Sequence, residues 1–350
     1  MRKIAILGST GSIGRRTLDV IDHLGGFEIQ ALTCHSNFTL LEEQQKKYRP
    51  KLQTQNLEEI VTSSQVDEVV IAIVGAAAIG PTLAAIRAKK RVMIATKEVL
   101  VMAGDLVMEE AKKHGVELIP IDSEHSSLFS MLRDLPSVEV HKLILTASGG
   151  PFLNRSVENV TIEDALNHPR WKMGSKISID SSTMMNKGLE VIEAHHLFSL
   201  PLEKIEVVVH PQSIIHAIVQ LVDGTMLAHL GPTDMALPIQ YALTHPERKK
   251  SFLKPLNLAE IQRLEFYTPD VRKFPCLDIA SEAIRKGGNM PCFMNAANEE
   301  LVSRFINGKI GWQEIGARLQ KLMAQANFVK NPDLQQLIAT DKTARELAHL

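Results

Sequence analysis

Asp122 and Glu124 stand two apart, and Glu190 lies on a stretch with helical spacing. Three carboxylates without a thiolate make a hard, all-oxygen donor set, which selects Mg²⁺ or Mn²⁺ over zinc. A solvated loop rich in charge would carry the first two equally well. His125 could join them, although a structural histidine is the simpler reading. From Ile177 to Ala194 the chain reads as a short strand, a Ser/Thr-rich turn and a helix. At 100° per residue, Thr183, Asn186, Lys187, Glu190 and Glu193 share one polar arc. Met184, Met185, Leu189, Val191 and Ile192 take the opposite one. The turn offers hydroxyls and N–H groups at a helix N-terminus, where anions bind well. An ordinary amphipathic helix with a solvated face would show the same pattern.

A second chemistry is written near the start. Gly8-Ser9-Thr10-Gly11-Ser12-Ile13-Gly14 follows the apolar run Lys3–Leu7 and precedes a helical pattern reaching Ile21. Strand, glycine turn and helix form the setting of a dinucleotide-binding loop, here spaced G-x-x-G-x-x-G; structural turns can mimic it. A fold specific for NAD usually ends its second strand with an acid that holds the ribose 2′-OH. Phe27–Thr33 is instead followed by Cys34-His35-Ser36-Asn37, without a carboxylate, which leans towards NADP.

Further polar clusters sit where strands should end. These are Thr96-Lys97-Glu98, the Asp122–His125 run itself, read as an extended end with both carboxylates on one side, and Ser148-Gly149-Gly150. The last could offer N–H groups and a hydroxyl to an anion or be merely a tight turn. His168 to Gly174 mixes Pro, Gly and Trp171, as a mobile cover over a site would; a packed indole anchoring a loop is the alternative. His210 and His216 read as structural.

The elements that must position these groups follow from patterning. Val69–Val74, Arg91–Ala95 and Val116–Ile121 alternate with helical segments, which indicates a doubly wound parallel sheet with ligands beyond the strand C-termini. His141–Thr146, Val207–Val209, Ile214–Val219 and Met226–Leu230 read as a second, mixed sheet, and the chain from about Val271 reads as helices. The expected organisation is α/β: a Rossmann-like domain over 1–121, a central α/β catalytic domain over 122–245, a linker over 246–270 and a helical domain over 271–350.

Lys+Arg 39 against Asp+Glu 40 in 350 residues leaves no field to attract nucleic acid or a membrane surface. The longest apolar run is too short to span a bilayer, and no targeting signal is visible. Three cysteines without a C-x-x-C pair suit a reducing cytosol, so a cytoplasmic location is expected.

These blocks together resemble the 1-deoxy-D-xylulose 5-phosphate reductoisomerase family from Lys3 to about Trp312. GSTGSIG (8–14), AIVGAA (72–77), DSEH (122–125), SGGPF (148–152), HPRWKMG (168–174), SSTMMNKGLEVIEA (181–194), HPQSIIH (210–216) and NAANE (295–299) carry the resemblance. It implies NADPH- and metal-dependent rearrangement and reduction of 1-deoxy-D-xylulose 5-phosphate to 2-C-methyl-D-erythritol 4-phosphate, in the non-mevalonate isoprenoid pathway, by a V-shaped homodimer. It puts Mg²⁺ or Mn²⁺ on Asp122, Glu124 and Glu190, and the substrate phosphate on Ser148, Ser181, Asn186 and Lys187. Lys97 and Ser123 would meet the oxygenated carbons, while His168 and Trp171 close over the site. NADPH would lie on Thr10, Gly11, Ser12 and Ile13, on His35, Ser36 and Asn37, on Thr96 and Glu98, and near Gly174.

The chain departs from the family at His35, where Gly is usual, at Thr96, where Asn is usual, and in a shortened 48–66 span. Two alternatives therefore stand beside the main reading: another NADP-linked reductoisomerase-like oxidoreductase, and a metabolite-binding relative without a competent cofactor site.

Overall fold

The computed structural model describes residues 1–171 and 173–350. Its first elements are β1 (Arg2–Leu7), α1 (Ser12–Leu24), β2 (Phe27–Leu32), α2 (Phe38–Tyr48), α3 (Leu57–Thr62), β3 (Glu68–Ile71), α4 (Ile79–Arg87) and β4 (Arg91–Ile94). Next come α5 (Glu98–His114), β5 (Leu118–Pro120), α6 (Ser123–Leu132), β6 (Val140–Ala147), α7 (Ile162–Leu166), α8 (Ser175–Ser182) and α9 (Met185–Phe198). Then follow β7 (Ile205–Val209), β8 (Ile215–Leu221), β9 (Met226–Leu230), α10 (Ala236–Thr244) and α11 (Leu258–Ile261). The chain finishes with α12 (Pro275–Lys286), α13 (Met290–Ile306), α14 (Trp312–Gln325) and α15 (Leu334–His349). Two compact units result: Met1–Val99 with Asp105–Ser130 and Asp234–Leu256, and Leu100–Gly104 with Met131–Thr233 and Asn257–Leu350.

In the first unit five parallel strands lie in the order β2-β1-β3-β4-β5. Ile4–Leu7, Val69–Ile71 and Val92–Ile94 are fully buried, as strands covered on both faces must be. The order reverses at β1, so the turn after it opens at the switch point where such sheets bind ligands. The unit cuts the chain elsewhere than the sequence suggested. Helix α10 lies inside the 122–245 stretch, yet Ala236, Ile239, Ala242 and Leu243 complete the core formed by Ile4, Val20 and Met93. Arg16 fixes this return with a two-pronged pair to Asp234, at 3.0 and 2.5 Å. A helix apolar enough to need burial goes where a core can take it, which sequence order does not reveal.

The second unit holds a mixed sheet in the order β7-β6-β8-β9, with β6 parallel to β7 and antiparallel to β8. Its large core joins Ile179, Met184, Met185 and Leu189 to Phe274, Leu277, Met294, Leu301 and Trp312. The expected C-terminal helices are thus α12 to α15.

Two local expectations are corrected. The stretch read as a strand at Ile177–Ile179 is the middle of helix α8. Ile177 and Ile179 imitate a two-residue period, but so short an apolar pattern cannot separate strand from helix. Ser178 and Ser182 bond back to the carbonyls of Gly174 and Ile179, at 3.0 and 2.7 Å. Likewise Asp122 does not run into an extended end: Ser123 opens α6, and Glu124 sits in its first turn.

Candidate active site

The glycine turn after β1 is built for close approach. Gly8 has φ +88°, and a Cβ there would meet Ala72 O at 2.4 Å; one on Gly14 would meet Gly8 O at 2.3 Å. Gly11 caps α1 without a side-chain bond, and the first helical turn carries no acid. Thr10 to Ile13 therefore surround a helix N-terminus whose N–H groups and dipole favour an anion. Ser9 N donates to Thr33 O (2.8 Å) and Gly8 N to Thr33 Oγ1 (3.0 Å), tying this turn to the end of β2. His35, Ser36 and Asn37 follow there, all exposed, and Asn37 caps α2 by accepting Leu40 N at 3.1 Å.

At the end of β4, Thr96 is buried and donates its hydroxyl to Ile73 O at 2.5 Å. That proton is thereby committed to holding the strand ends together. Lys97 and Glu98 follow, both buried, with Glu98 opening α5. The Lys97 ammonium is paired with the Asp122 carboxylate. Ser123 N donates to Asp122 Oδ1 at 2.9 Å, and Ser123 Oγ to Glu124 Oε2 at 2.6 Å. His125 is fully buried, with Nδ1 3.8 Å from Asp122. The first unit thus gathers Lys97, Asp122, Ser123 and Glu124 in one place.

The second unit gathers the remaining polar groups at the junction of α8 and α9. Met184 adopts φ +60° between the helices, so the single helical phase expected from Thr183 to Glu193 restarts at Met185. A left-handed conformation is costly for a side chain of this size and persists where packing fixes it; Met184 is buried in the core. Gly150 has φ +65°, and a Cβ on it would meet Ser181 O at 2.7 Å, so the Ser148–Gly150 turn lies against this junction. Beyond it, Asn186 donates to Glu190 Oε1 at 2.5 Å, and the Lys187 ammonium pairs with the same carboxylate. Both groups assigned to an anion therefore face the carboxylate assigned to a cation. Lys187 and Glu190 are almost wholly buried, and their pairing offsets part of the cost of enclosing two charges.

His168 closes on the turn. Its Nδ1 accepts the backbone N–H groups of Trp171 (2.9 Å) and Arg170 (3.2 Å), which fixes the proton on Nε2. Nε2 then donates to Ser148 Oγ at 2.8 Å, and the same oxygen accepts Gly150 N at 3.1 Å. With two donors arriving, the Ser148 hydroxyl must send its own proton outwards. Desolvation holds the His168 imidazole down to about 4. Trp171 is half-buried, its ring 6.4 Å from that of His216. Gly174 caps α8 and is exposed. His210 and His216 are buried, and desolvation depresses both imidazoles, His216 to about 4.

Sequence reasoning passed over the groups that brace this site. Asp180, buried, is held by Asn298 Nδ2 at 2.8 Å and Lys176 Nζ at 2.9 Å. Trp312, at the start of α14, donates its indole N–H to Ser182 Oγ at 2.8 Å and meets the Phe152 ring edge-on at 5.2 Å. Lys273 Nζ donates to the carbonyls of Phe152 (2.6 Å) and Arg155 (2.7 Å). Asn298 stood in a quoted motif; nothing in the sequence singled out the others.

Family models match along most of the chain. The model for 1-deoxy-D-xylulose 5-phosphate reductoisomerase matches residues 4–54 and 51–104, and models of two C-terminal domains of that enzyme match 118–198 and 230–347. The reductoisomerase of Pelodictyon phaeoclathratiforme is 48% identical over 378 aligned positions, covering 99% of each chain. That of Acetivibrio thermocellus is 45% identical over 99% of this chain and 98% of its own. Among solved structures, a DOX-P reductoisomerase in complex with NADPH, fosmidomycin and magnesium superposes with a TM-score of 0.94, at 41% identity over 99% of this chain and 97% of its own. The enzyme of Zymomonas mobilis in complex with NADPH gives 0.90, at 38% identity over 99% and 98%.

Proposed function

This chain belongs to the 1-deoxy-D-xylulose 5-phosphate reductoisomerase family, and on that footing we propose that it converts 1-deoxy-D-xylulose 5-phosphate to 2-C-methyl-D-erythritol 4-phosphate. The reaction is a rearrangement of the carbon skeleton, by retro-aldol cleavage and aldol rejoining, followed by reduction of the branched aldehyde phosphate. When bound, NADPH would supply the hydride and a divalent cation held by Asp122, Glu124 and Glu190 would supply Lewis-acid polarisation of the substrate's oxygens. The observation that supports this reading is the α8–α9 junction, where the Asn186 amide and the Lys187 ammonium meet the Glu190 carboxylate and the Ser148–Gly150 turn packs against the Ser181 backbone.

The roles follow from chemistry. Asp122, Glu124 and Glu190 are the proposed cation ligands, a donor set of oxygen alone. Asn186 and Lys187, now turned to Glu190, become available to the substrate phosphate once that carboxylate is otherwise engaged. Ser148 points a hydroxyl proton at the same anion, and Ser181 adds a second hydroxyl. Lys97 and Ser123 face the oxygenated carbons, and His168 with Trp171 covers them. Phosphate held away from the reacting carbons supplies binding energy that orients them. Thr10, Gly11, Ser12 and Ile13 take the cofactor pyrophosphate, and His35, Ser36 and Asn37 the adenosine ribose with its 2′-phosphate. Thr96, Glu98 and Gly174 complete the cofactor's surroundings, Thr96 through its backbone because its hydroxyl is committed.

A cytoplasmic homodimer fits the surface. Edge strand β9 exposes Met226, Leu227 and Leu230, and Cys34, Cys276 and Cys292 are free thiols. Among the described residues no helix is long and apolar enough to cross a membrane.

A metabolite-binding relative without a competent cofactor site is the second reading. The break in the family match at 51–54 favours it, and the intact Gly8–Gly14 turn opposes it. Oxidation of NADPH, assayed with 1-deoxy-D-xylulose 5-phosphate and Mg²⁺, tests both. Absence of turnover together with retained binding of a phosphonate substrate analogue would select the second.

A further inference from the structure

The family match breaks at residues 51–54, and 378 aligned positions against a chain of 350 show that a relative carries extra residues. At this break the chain runs beside β2, the edge strand of the five-stranded sheet. An edge strand presents backbone groups that need partners. Leu52 N meets one of them, donating to Gln30 O at 2.8 Å. The next are met by a side chain: Gln55 Nε2 donates to Leu32 O at 3.2 Å, and Gln55 Oε1 accepts Cys34 N at 3.1 Å. One amide thus pairs with the edge as a neighbouring peptide unit would, immediately before His35.

A second glutamine makes a similar clasp on the glycine turn. Gln44, buried on α2, accepts the Ser9 hydroxyl on Oε1 at 2.7 Å and donates from Nε2 to Ser9 O at 2.9 Å. Ser9 immediately precedes Thr10 to Ile13. Because these bonds are enclosed, removing the amide would take the Gln44 donor from the buried Ser9 carbonyl and leave the Ser9 hydroxyl to the longer bond to Thr33 O, at 3.2 Å.

We propose that Gln44 and Gln55 are positioning residues for the dinucleotide: Gln44 sets the pyrophosphate turn, and Gln55 sets the turn that reads the 2′-phosphate. The inference rests on the cofactor reading above. Neither side chain need touch the cofactor. Each fixes backbone next to a proposed contact, and the contacts differ. The pyrophosphate is common to NADPH and NADH, whereas the 2′-phosphate belongs to NADPH alone.

The test is direct binding of NADPH and of NADH to the full chain, followed by nucleotide fluorescence, with Gln44→Ala and Gln55→Ala beside the unaltered protein. Gln44→Met, close in volume, takes the place of Gln44→Ala should the latter fail to fold. Gln44 variants should weaken both dinucleotides alike, by about tenfold or more, and Gln55→Ala should weaken NADPH about fivefold with NADH unchanged. A general loss of structure would not separate the two nucleotides in this way. Equal losses in Gln55→Ala, or a loss confined to NADPH in the Gln44 variants, would overturn the assignment. Binding by the unaltered chain that no variant weakens would overturn the inference alone. Failure of the unaltered chain to bind either nucleotide would overturn the cofactor reading and the inference with it.

Discussion

Trp312 donates its indole N–H to Ser182 Oγ at 2.8 Å, which ties α14 to the end of the helix that presents Ser181. Asn298, on α13, ties in the same helix two residues earlier, through Asp180. The C-terminal helices thus hold the proposed phosphate-binding junction from behind. A junction that contains a left-handed Met184 needs such bracing, because the backbone there does not favour its own conformation.

Trp312→Phe keeps the aromatic packing on Phe152 and deletes one buried donor. Global stability should fall by about 1–2 kcal/mol, the cost of stranding a buried acceptor. The Michaelis constant for the sugar phosphate should rise while that for NADPH stays put. Urea melts and steady-state kinetics read the two effects separately. An unchanged substrate constant would confine Trp312 to packing.

Glu190→Gln should lower Mg²⁺-dependent turnover by at least about a hundredfold, on the scale of Lewis-acid stabilisation. Lys187 would lose an enclosed charge partner at the same time, so stability should also drop. Circular dichroism confirms the fold before kinetics are compared. Near-normal turnover would remove Glu190 from the cation site.

Trp171, half-buried in the segment behind His168, should report closure. In a Trp312→Phe background its fluorescence should change when a phosphonate substrate analogue is added with Mg²⁺. A silent Trp171 would mean that its environment is already final.

His168 and His216 give the pH dependence a sign. Burial holds both imidazoles near 4 in the native state, below the ordinary value near 6.5. As pH falls, the unfolded chain takes up these protons first. Stability linked to them is therefore full above about 6.5 and is lost progressively towards about 4. Chemical denaturation at pH 7, 6 and 5 should show the decline, and His216→Gln should reduce its slope. Trp171 fluorescence should meanwhile show no native-state midpoint near 6.5, since neutral His168 keeps accepting the Trp171 N–H. A midpoint there would mean that the imidazole is open to water.

Patterns that depend on neighbours in sequence were legible without coordinates. Glycines at 8, 11 and 14 between a strand and a helix, buried parallel strands, and the C-terminal helices all follow from local sterics and from the period of burial. So did the identity of the chemical groups, because Asp122, Glu124, Glu190 and Lys187 are chemistry wherever they fold. The shape of short segments was not legible: Ile177–Ile179 reads equally as strand or helix, and the surrounding packing makes it part of α8. Long-range pairings decided the rest. Gln44 on Ser9, Gln55 on the edge of β2, Asn298 on Asp180 and Trp312 on Ser182 join residues 21 or more positions apart. A buried polar group must find a partner, but its own sequence neighbourhood does not say which one; only the folded chain brings that partner within 3 Å or so.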